Sequence, residues 1–225
     1  MPSLADAATA ILAANVPVLF LDTCSILDVI RAPSRGMNGC VEAALELYEM
    51  ATDSPIRCML IAGSFVPAEW QDHDQGELAD LITHLEKMEE AAGHFHGLCG
   101  HLGVTFGFGV PQYVRSGIAE RLHDLSRKLR DSALILDQHT DVVQRAYNRV
   151  AVTKRRQSRK GGQLKDCTIF EEYLEVCRLL GAGGFVERIL TVVQTCRLHG
   201  KNTLEFLYNA VHNHRSGLSC PCLLS

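Results

Sequence analysis

No strong charge of either sign marks this chain. Its 225 residues carry 22 Lys and Arg against 26 Asp and Glu, a formal net charge of −4, which argues against a protein that coats nucleic acid by bulk charge. No apolar run reaches membrane-spanning length. The opening over Ser3–Ala14 is alanine-rich and amphipathic, without the basic start of a secretory signal. Nor is there a disulfide framework to read. The nine cysteines are odd in number and scattered, and Cys24, Cys58, Cys167 and Cys177 sit inside apolar patterns, where cysteine acts as a small hydrophobe. A reduced, cytoplasmic protein with no membrane partner is expected. One further absence bears on function: no aspartate follows Asp166, and the later acids are all glutamates.

What is present is apolar residue, at 47% of the chain, enough for a sizeable core in one large domain, or in one domain with an appendage. Ser3 suits the cap of a short helix over Leu4–Ala14. Val18–Leu21, entered through Pro17, reads as a buried strand of a parallel sheet. Arg31–Gly39 reads as a loop, Val41–Ala51 as a helix, and Cys58–Ala62 as a second buried strand. Helical spacing then runs from Glu77 to about Leu98, and from about Pro111 to Val152 with breaks. A last helix begins at Asp166, with Ile169, Phe170, Tyr173, Leu174 and Cys177 on its apolar face, and stops near Gly181. The alternation predicts an α/β fold, a three-layer sandwich around a mainly parallel central sheet, with a helical insertion over residues 77–152.

In such sheets, sites form at the carboxyl ends of the strands. Asp22 falls at that end of the first strand, followed by Thr23 and Ser25, and Glu69 lies shortly past the second. Asp166 opens a helix behind a basic stretch, in which Lys154, Arg155, Arg156, Arg159, Lys160 and Lys165 fall within a dozen positions with no acid among them. Singly, Asp22 can end a strand and Asp166 can cap a helix, and the basic run can be a solvated loop. Together they suit a hydrated divalent cation beside a phosphate, since hard cations prefer oxygen ligands and keep several waters. Thr23 or Ser25 would orient a ligand or water by hydrogen bonding. Asp28 is expected at the turn after the first strand, Glu172 facing solvent, and Glu171 at the crevice only if the helix is turned that way. His94, His96, Cys99 and His101 lie among Gly93, Gly97 and Gly100. Their spacing fits no standard zinc site, and the stretch reads as a flexible connector. His73, four residues after Glu69, shares its helical face.

Leu21-Asp22-Thr23-Cys24-Ser25, Val66-Pro67-Ala68-Glu69-Trp70 and Lys165-Asp166-Cys167-Thr168 resemble the acidic motifs of PIN-like nuclease domains. The resemblance is to a bacterial branch with a long helical insertion and a third motif beginning Lys-Asp, and it spans roughly residues 15–185. It implies a ribonuclease holding Mg2+ or Mn2+ through three or four carboxylates. Asp22, Glu69 and Asp166 would be metal ligands and catalytic residues. The implied partner is RNA, met by Arg155, Arg156, Arg159, Lys160 and Lys165, and a homo-oligomer is compatible with it. The sequence names no antitoxin-like partner.

The pattern changes after Gly184. The resembled domain would continue with a strand and a fourth acid. Here Thr195-Cys196-Arg197, Asn202-Thr203-Leu204-Glu205-Phe206-Leu207 and Pro221-Cys222-Leu223-Leu224 resemble the C-terminal end of DDE-type insertion-sequence transposases, over residues 186–225. This implies a PIN-like domain over 1–185 fused to a transposase-like tail that replaces the missing strand and acid. The leading expectation is a metal-dependent ribonuclease impaired by that loss. The alternatives are a non-catalytic remnant that at most binds RNA and, weakest, a transposase fragment.

The basic stretch has no aromatic residue for stacking, so it is expected to meet phosphates rather than bases. Neutralising Arg155, Arg156 and Arg159 together should weaken RNA binding without changing sequence preference. It should also flatten the dependence of log affinity on log salt by about 2 to 3, read by titration at several salt concentrations. Unchanged affinity at low salt would mark the stretch as merely solvated.

Overall fold

Proline and a capping box set the start of the chain. The computed structural model describes residues 1–104, 109–153 and 163–181, together with the isolated positions Phe206, Asn209 and Asn213. Helix α1 (Leu4–Ala14) opens at Ser3, whose hydroxyl accepts from the Asp6 N–H at 3.2 Å while the Asp6 carboxylate accepts from the Ser3 N–H. This reciprocal pair satisfies two backbone donors that a helix start otherwise leaves open. Pro17 then leads into β1 (Val18–Leu21).

The remaining elements of the described chain are α2 (Thr23–Arg35), α3 (Asn38–Thr52), β2 (Met59–Ala62), α4 (Val66–His101), α5 (Ile118–Ser132), β3 (Leu134–Ile135), α6 (Thr140–Thr153) and α7 (Gln163–Leu179). The sheet is parallel with order β1-β2-β3. Leu21 lies opposite Ala62, and Ala62 opposite Ile135. The residues that follow each strand, Asp22, Gly63 and Leu136, therefore fall along one edge of the sheet. The Leu136 N–H donates to the Ala62 carbonyl at 3.0 Å, which extends the pairing by one step. Leu60, Ile61 and Ala62 are buried, and so are Ile26, Leu27, Val29 and Ile30 of α2. The core sits between these elements, with α2 packed on α3, α4 and α5.

An α/β fold with a parallel sheet is thus present, and three local expectations are corrected. Arg31–Arg35 is not loop: Pro33 is carried inside α2, which ends where Gly36 takes a left-handed φ of 66° that glycine adopts without a Cβ penalty. His94–His101 is not a connector, because α4 runs unbroken for 36 residues through its glycines. Packing of Leu81, Leu85 and Cys99 outweighs the modest helix penalty of about 1 kcal/mol per glycine. Between α5 and α6 the chain makes a strand, β3, where helical spacing alone was expected. Two residues are too few to show an alternating pattern.

The chain falls into two compact units, Met1–Glu172 and Tyr173–Ser225. The segment from Val186, whose motifs resemble a transposase end, falls outside the described residues apart from Phe206, Asn209 and Asn213. Among the described residues no helix is long and apolar enough to cross a membrane.

A buried polar chain locks the helical layer. The Trp70 indole N–H donates to the Ser126 hydroxyl at 2.8 Å, which donates to the Ile26 carbonyl at 2.9 Å. One serine thereby joins α4, α5 and α2. Ser126→Ala should leave an indole donor and a carbonyl acceptor buried without a partner, at a cost of about 2 kcal/mol. Urea denaturation should show a lower midpoint with an unchanged slope. A loss under about 0.5 kcal/mol would mean that the site relaxes or admits water.

A candidate carboxylate site at the strand ends

The first strand hands directly into a helix at Asp22, the N-cap residue of α2. Its backbone is extended, and its carboxylate makes no capping bond to α2. Its carbonyl accepts from the Ile26 N–H at 3.3 Å. Glu69 stands in the first turn of α4, just after β2, with Pro67 at the helix start. Asp166 stands in the first turn of α7. Each of the three acids therefore lies at the N-terminal end of a helix, where the backbone dipole favours an ionised carboxylate.

Two contacts draw these helix ends together. The buried Thr23 hydroxyl donates to Glu69 Oε2 at 2.8 Å, tying the residue after Asp22 to the second acid. Lys165, the residue before Asp166, holds its Nζ 3.9 Å from Glu69 Oε1 and 3.8 Å from Asp72 Oδ2. Asp22 and Asp166 both also act on one thiol. Although Cys24 as a residue is exposed, its thiol is pushed up first by local desolvation of the sulfur and then by Asp22. Asp28 and Asp166 add to this, and Arg31 opposes it. Ser25, the other hydroxyl considered, is exposed.

A second network fixes α2 against α4. Arg31 donates to Glu77 through Nη2 and lies 3.4 Å from Asp28, which also takes Arg35 at 2.8 Å. Hydrogen bonding from Arg31 is the main reason that the Glu77 carboxyl lies below its usual range. Asp28 is thus a helical residue paired with two arginines, not the last polar residue of a turn. Three residues before Glu77 on α4, the buried Asp74 carboxylate meets His123 at 2.9 Å. Burial pushes Asp74 up, but hydrogen bonds from His123 and Gln75 outweigh that and hold it below its usual range.

The expectations for α7 need correction. Glu172 does not face solvent: it is fully buried at the carboxyl end of β2. The Ser64 N–H donates to its Oε2 at 2.9 Å, and the Ser64 hydroxyl donates to its Oε1. Gly63 permits this approach, since a Cβ there would lie 2.7 Å from Glu172 Oε2 and 3.0 Å from Ile169 Cγ1. Burial pushes the Glu172 carboxyl above its ordinary range, with the Ser64 bonds partly opposing. Glu171 is also buried and turns to α6, accepting from Arg149 Nε at 2.7 Å and from Arg145 Nε at 3.3 Å. The Arg149 guanidinium lies over the Phe170 ring at 4.6 Å. A signal for Glu172 did exist, since it continues the spacing of Ile169 and Val176, both buried. Its charge hid its place on that stripe.

The donor types suit a hard divalent ion, being carboxylate oxygens with the Thr23 hydroxyl beside Glu69. As they stand, no group of three or more His, Cys, Asp or Glu among the described residues is close enough to hold one. Arg155, Arg156, Arg159 and Lys160 lie outside the described residues. Comparison with protein-family models, curated proteins and solved structures finds no match to this chain.

Because the folded state holds Glu172 with a raised pKa, it binds more protons than the unfolded chain above the ordinary glutamate range. Its contribution is full below that range and is lost as pH rises through the raised value. Glu172→Gln keeps both Ser64 bonds, through an amide oxygen and an amide N–H. It should therefore gain on the parent as pH rises from 4 toward neutrality. Glu172→Ala should cost about 2 to 4 kcal/mol at every pH. Thermal melts across that pH range distinguish the two, and parallel curves for parent and Gln variant would overturn the assignment.

Proposed function

We propose that residues 1–185 form a PIN-like, metal-dependent ribonuclease, with the sheet as the middle layer of a three-layer sandwich. Asp22, Glu69 and Asp166 would hold Mg2+ or Mn2+. The observation that carries the reading is the tie between the carboxyl ends of two parallel strands: Thr23, beside Asp22, hydrogen-bonds Glu69 at 2.8 Å. An α/β sheet gathers its chemistry at that edge. A bound ion would supply an activated water and charge stabilisation for phosphodiester hydrolysis. The chain's own part is to orient the ligands. Thr23 fixes one oxygen of Glu69 and leaves the other toward Lys165. The Arg31–Glu77 pair holds the helices that carry Asp22 and Glu69. Arg155, Arg156, Arg159 and Lys160 would take the RNA phosphates, in keeping with their charge and lack of aromatics.

A second reading has its own observation. The three carboxylates do not converge as they stand among the described residues, and no aspartate follows Asp166 to supply a fourth. On that reading the chain is a non-catalytic remnant that binds RNA through its basic stretch, without hydrolysis.

Incubating the purified chain with single-stranded RNA and Mn2+ separates the two. The nuclease reading expects ion-dependent cleavage that Asp22→Asn lowers by at least about 100-fold, the scale on which a misplaced or missing group costs a rate. That variant should keep the fold, because Asn matches Asp in volume and still offers an oxygen acceptor. RNA binding without cleavage in either protein would leave the second reading standing alone.

A further inference from the structure

Helix α4 carries an apolar seam well past the part of it that the core uses. Leu81, Met88, Phe95 and Leu102 follow one another at seven-residue steps. Leu81 is 2% exposed, whereas Met88, Phe95 and Leu102 are 41%, 58% and 71% exposed. Ala91 and Leu98 fall between them on the same face, and both are exposed. From Met88 to Leu102 the apolar residues thus recur at alternating steps of three and four, the spacing that packs one helix against another. Leu102 caps the helix yet keeps that spacing, since its N–H donates to the Leu98 carbonyl at 3.1 Å. The opposite face of the same stretch is of another kind. It carries Glu90, Gly93, Gly97 and Gly100, and a Cβ at any of these glycines would meet nothing within 4 Å.

We propose that this seam is a contact between two copies of the chain, in which the distal ends of α4 pack antiparallel about a two-fold axis. The inference is independent of the ribonuclease reading. The seam fits itself. In antiparallel register Phe95 of one copy meets Leu98 of the other, and Ala91 meets Leu102, each pairing occurring twice as a two-fold contact requires. The smallest seam residue is thereby set against the most exposed large one, so the two helices close without a void. No Lys, Arg, Asp or Glu lies on the seam, and on its solvent flank the same register brings His94 toward His101. Nothing that must be charged is desolvated, and a phosphate-bearing partner finds no fixed cation there. Packing two such stretches buries on the order of 1,000 Å² in total, the low end for a specific contact. Half-assembly near about 10 µM is therefore expected. The contact lies about 40 Å of helical rise from Glu69, so it leaves the sheet edge of each copy open.

Sedimentation equilibrium of the full chain over a range of concentrations tests the contact. The parent should associate to a dimer and no further, since a two-fold contact closes on itself. Leu98→Glu buries a charge at the centre of the seam and should raise the dissociation constant at least about 100-fold. Leu98→Gln supplies a second, uncharged variant with a loss in the same direction, and thermal melts confirm that both remain folded. Leu45→Glu, at an exposed apolar position of α3, should leave the dimer within about twofold of the parent. Direction is read from a charge pair. Leu102→Glu should weaken the dimer, and adding Ala91→Lys to it should recover about fivefold, because two surface ion pairs then form per dimer. In a parallel pair the same double variant would set like charges together and weaken the dimer further. A parent that stays monomeric up to about 300 µM, well above the range for such an area, would overturn the proposal. So would a dimer indifferent to both Leu98 variants, or a double variant no tighter than Leu102→Glu alone.

Discussion

The site depends first on how α7 is fastened to the end of β2. Glu172 carries a potential charge into a place without solvent, and such a group is tolerated only when its oxygens are matched. Ser64 matches both of them, through its N–H and its hydroxyl. Gly63 lets the helix approach to a distance that any side chain would prevent. The fastening also sets position along the helix. Asp166 precedes Glu172 by six residues, about 9 Å of helical rise, so fixing one fixes the height of the other above the strand ends. Lys165 is placed in the same stroke, within ion-pair range of Glu69 and Asp72.

The other two acids depend on a different constraint, the lock among α2, α4 and α5. Glu69 is followed at once by Trp70, whose indole is buried and bonded to Ser126. Ser126 in turn is bonded to the carbonyl of Ile26, one turn past Asp22. Arg130 closes the outer side, its guanidinium 4.1 Å from the Trp70 ring centre. The carboxylate Glu69 and the anchor Trp70 are neighbours in sequence but belong to different tasks. One is held rigid by hydrophobic burial and a polar chain, and the other is presented at the sheet edge.

Much of this architecture was legible in the residues. The apolar runs at Val18–Leu21 and Cys58–Ala62 became adjacent parallel strands, the second pairing from Met59, and Ser3 capped α1 as its chemistry demands. What could not be read has physical reasons. Strand β3 is two residues long and takes its identity from the Ala62 carbonyl and its neighbours, not from local pattern. The glycines of α4 and Pro33 of α2 disfavour helix locally, yet tertiary packing overrides such weak preferences. Glu172 was misjudged because charge usually means solvent, and only the three-dimensional approach of Ser64 reverses that. The link from Thr23 to Glu69 spans 46 residues. That Thr23 or Ser25 would offer a hydroxyl was readable, but the carboxylate that Thr23 meets was not.

The balance of charge at the strand ends bears on how the fold relates to any ion. Acids brought near one edge of a sheet repel one another, and a site built this way could demand a metal to fold, as small zinc domains do. Here the repulsion is met locally. Each acid lies at a helix N-terminus, worth about 0.3 to 1 kcal/mol apiece. Thr23 donates to Glu69, and Lys165 adds a loosely held positive charge beside it. These are small terms, but they are of the same order as the repulsion between partly exposed charges in water. The large terms lie elsewhere, in the buried faces of α2, β2 and α4 and in the Glu172 fastening. Stability is therefore carried mainly by residues away from the three acids, so a substitution at Asp22 can be assayed without the fold answering for it.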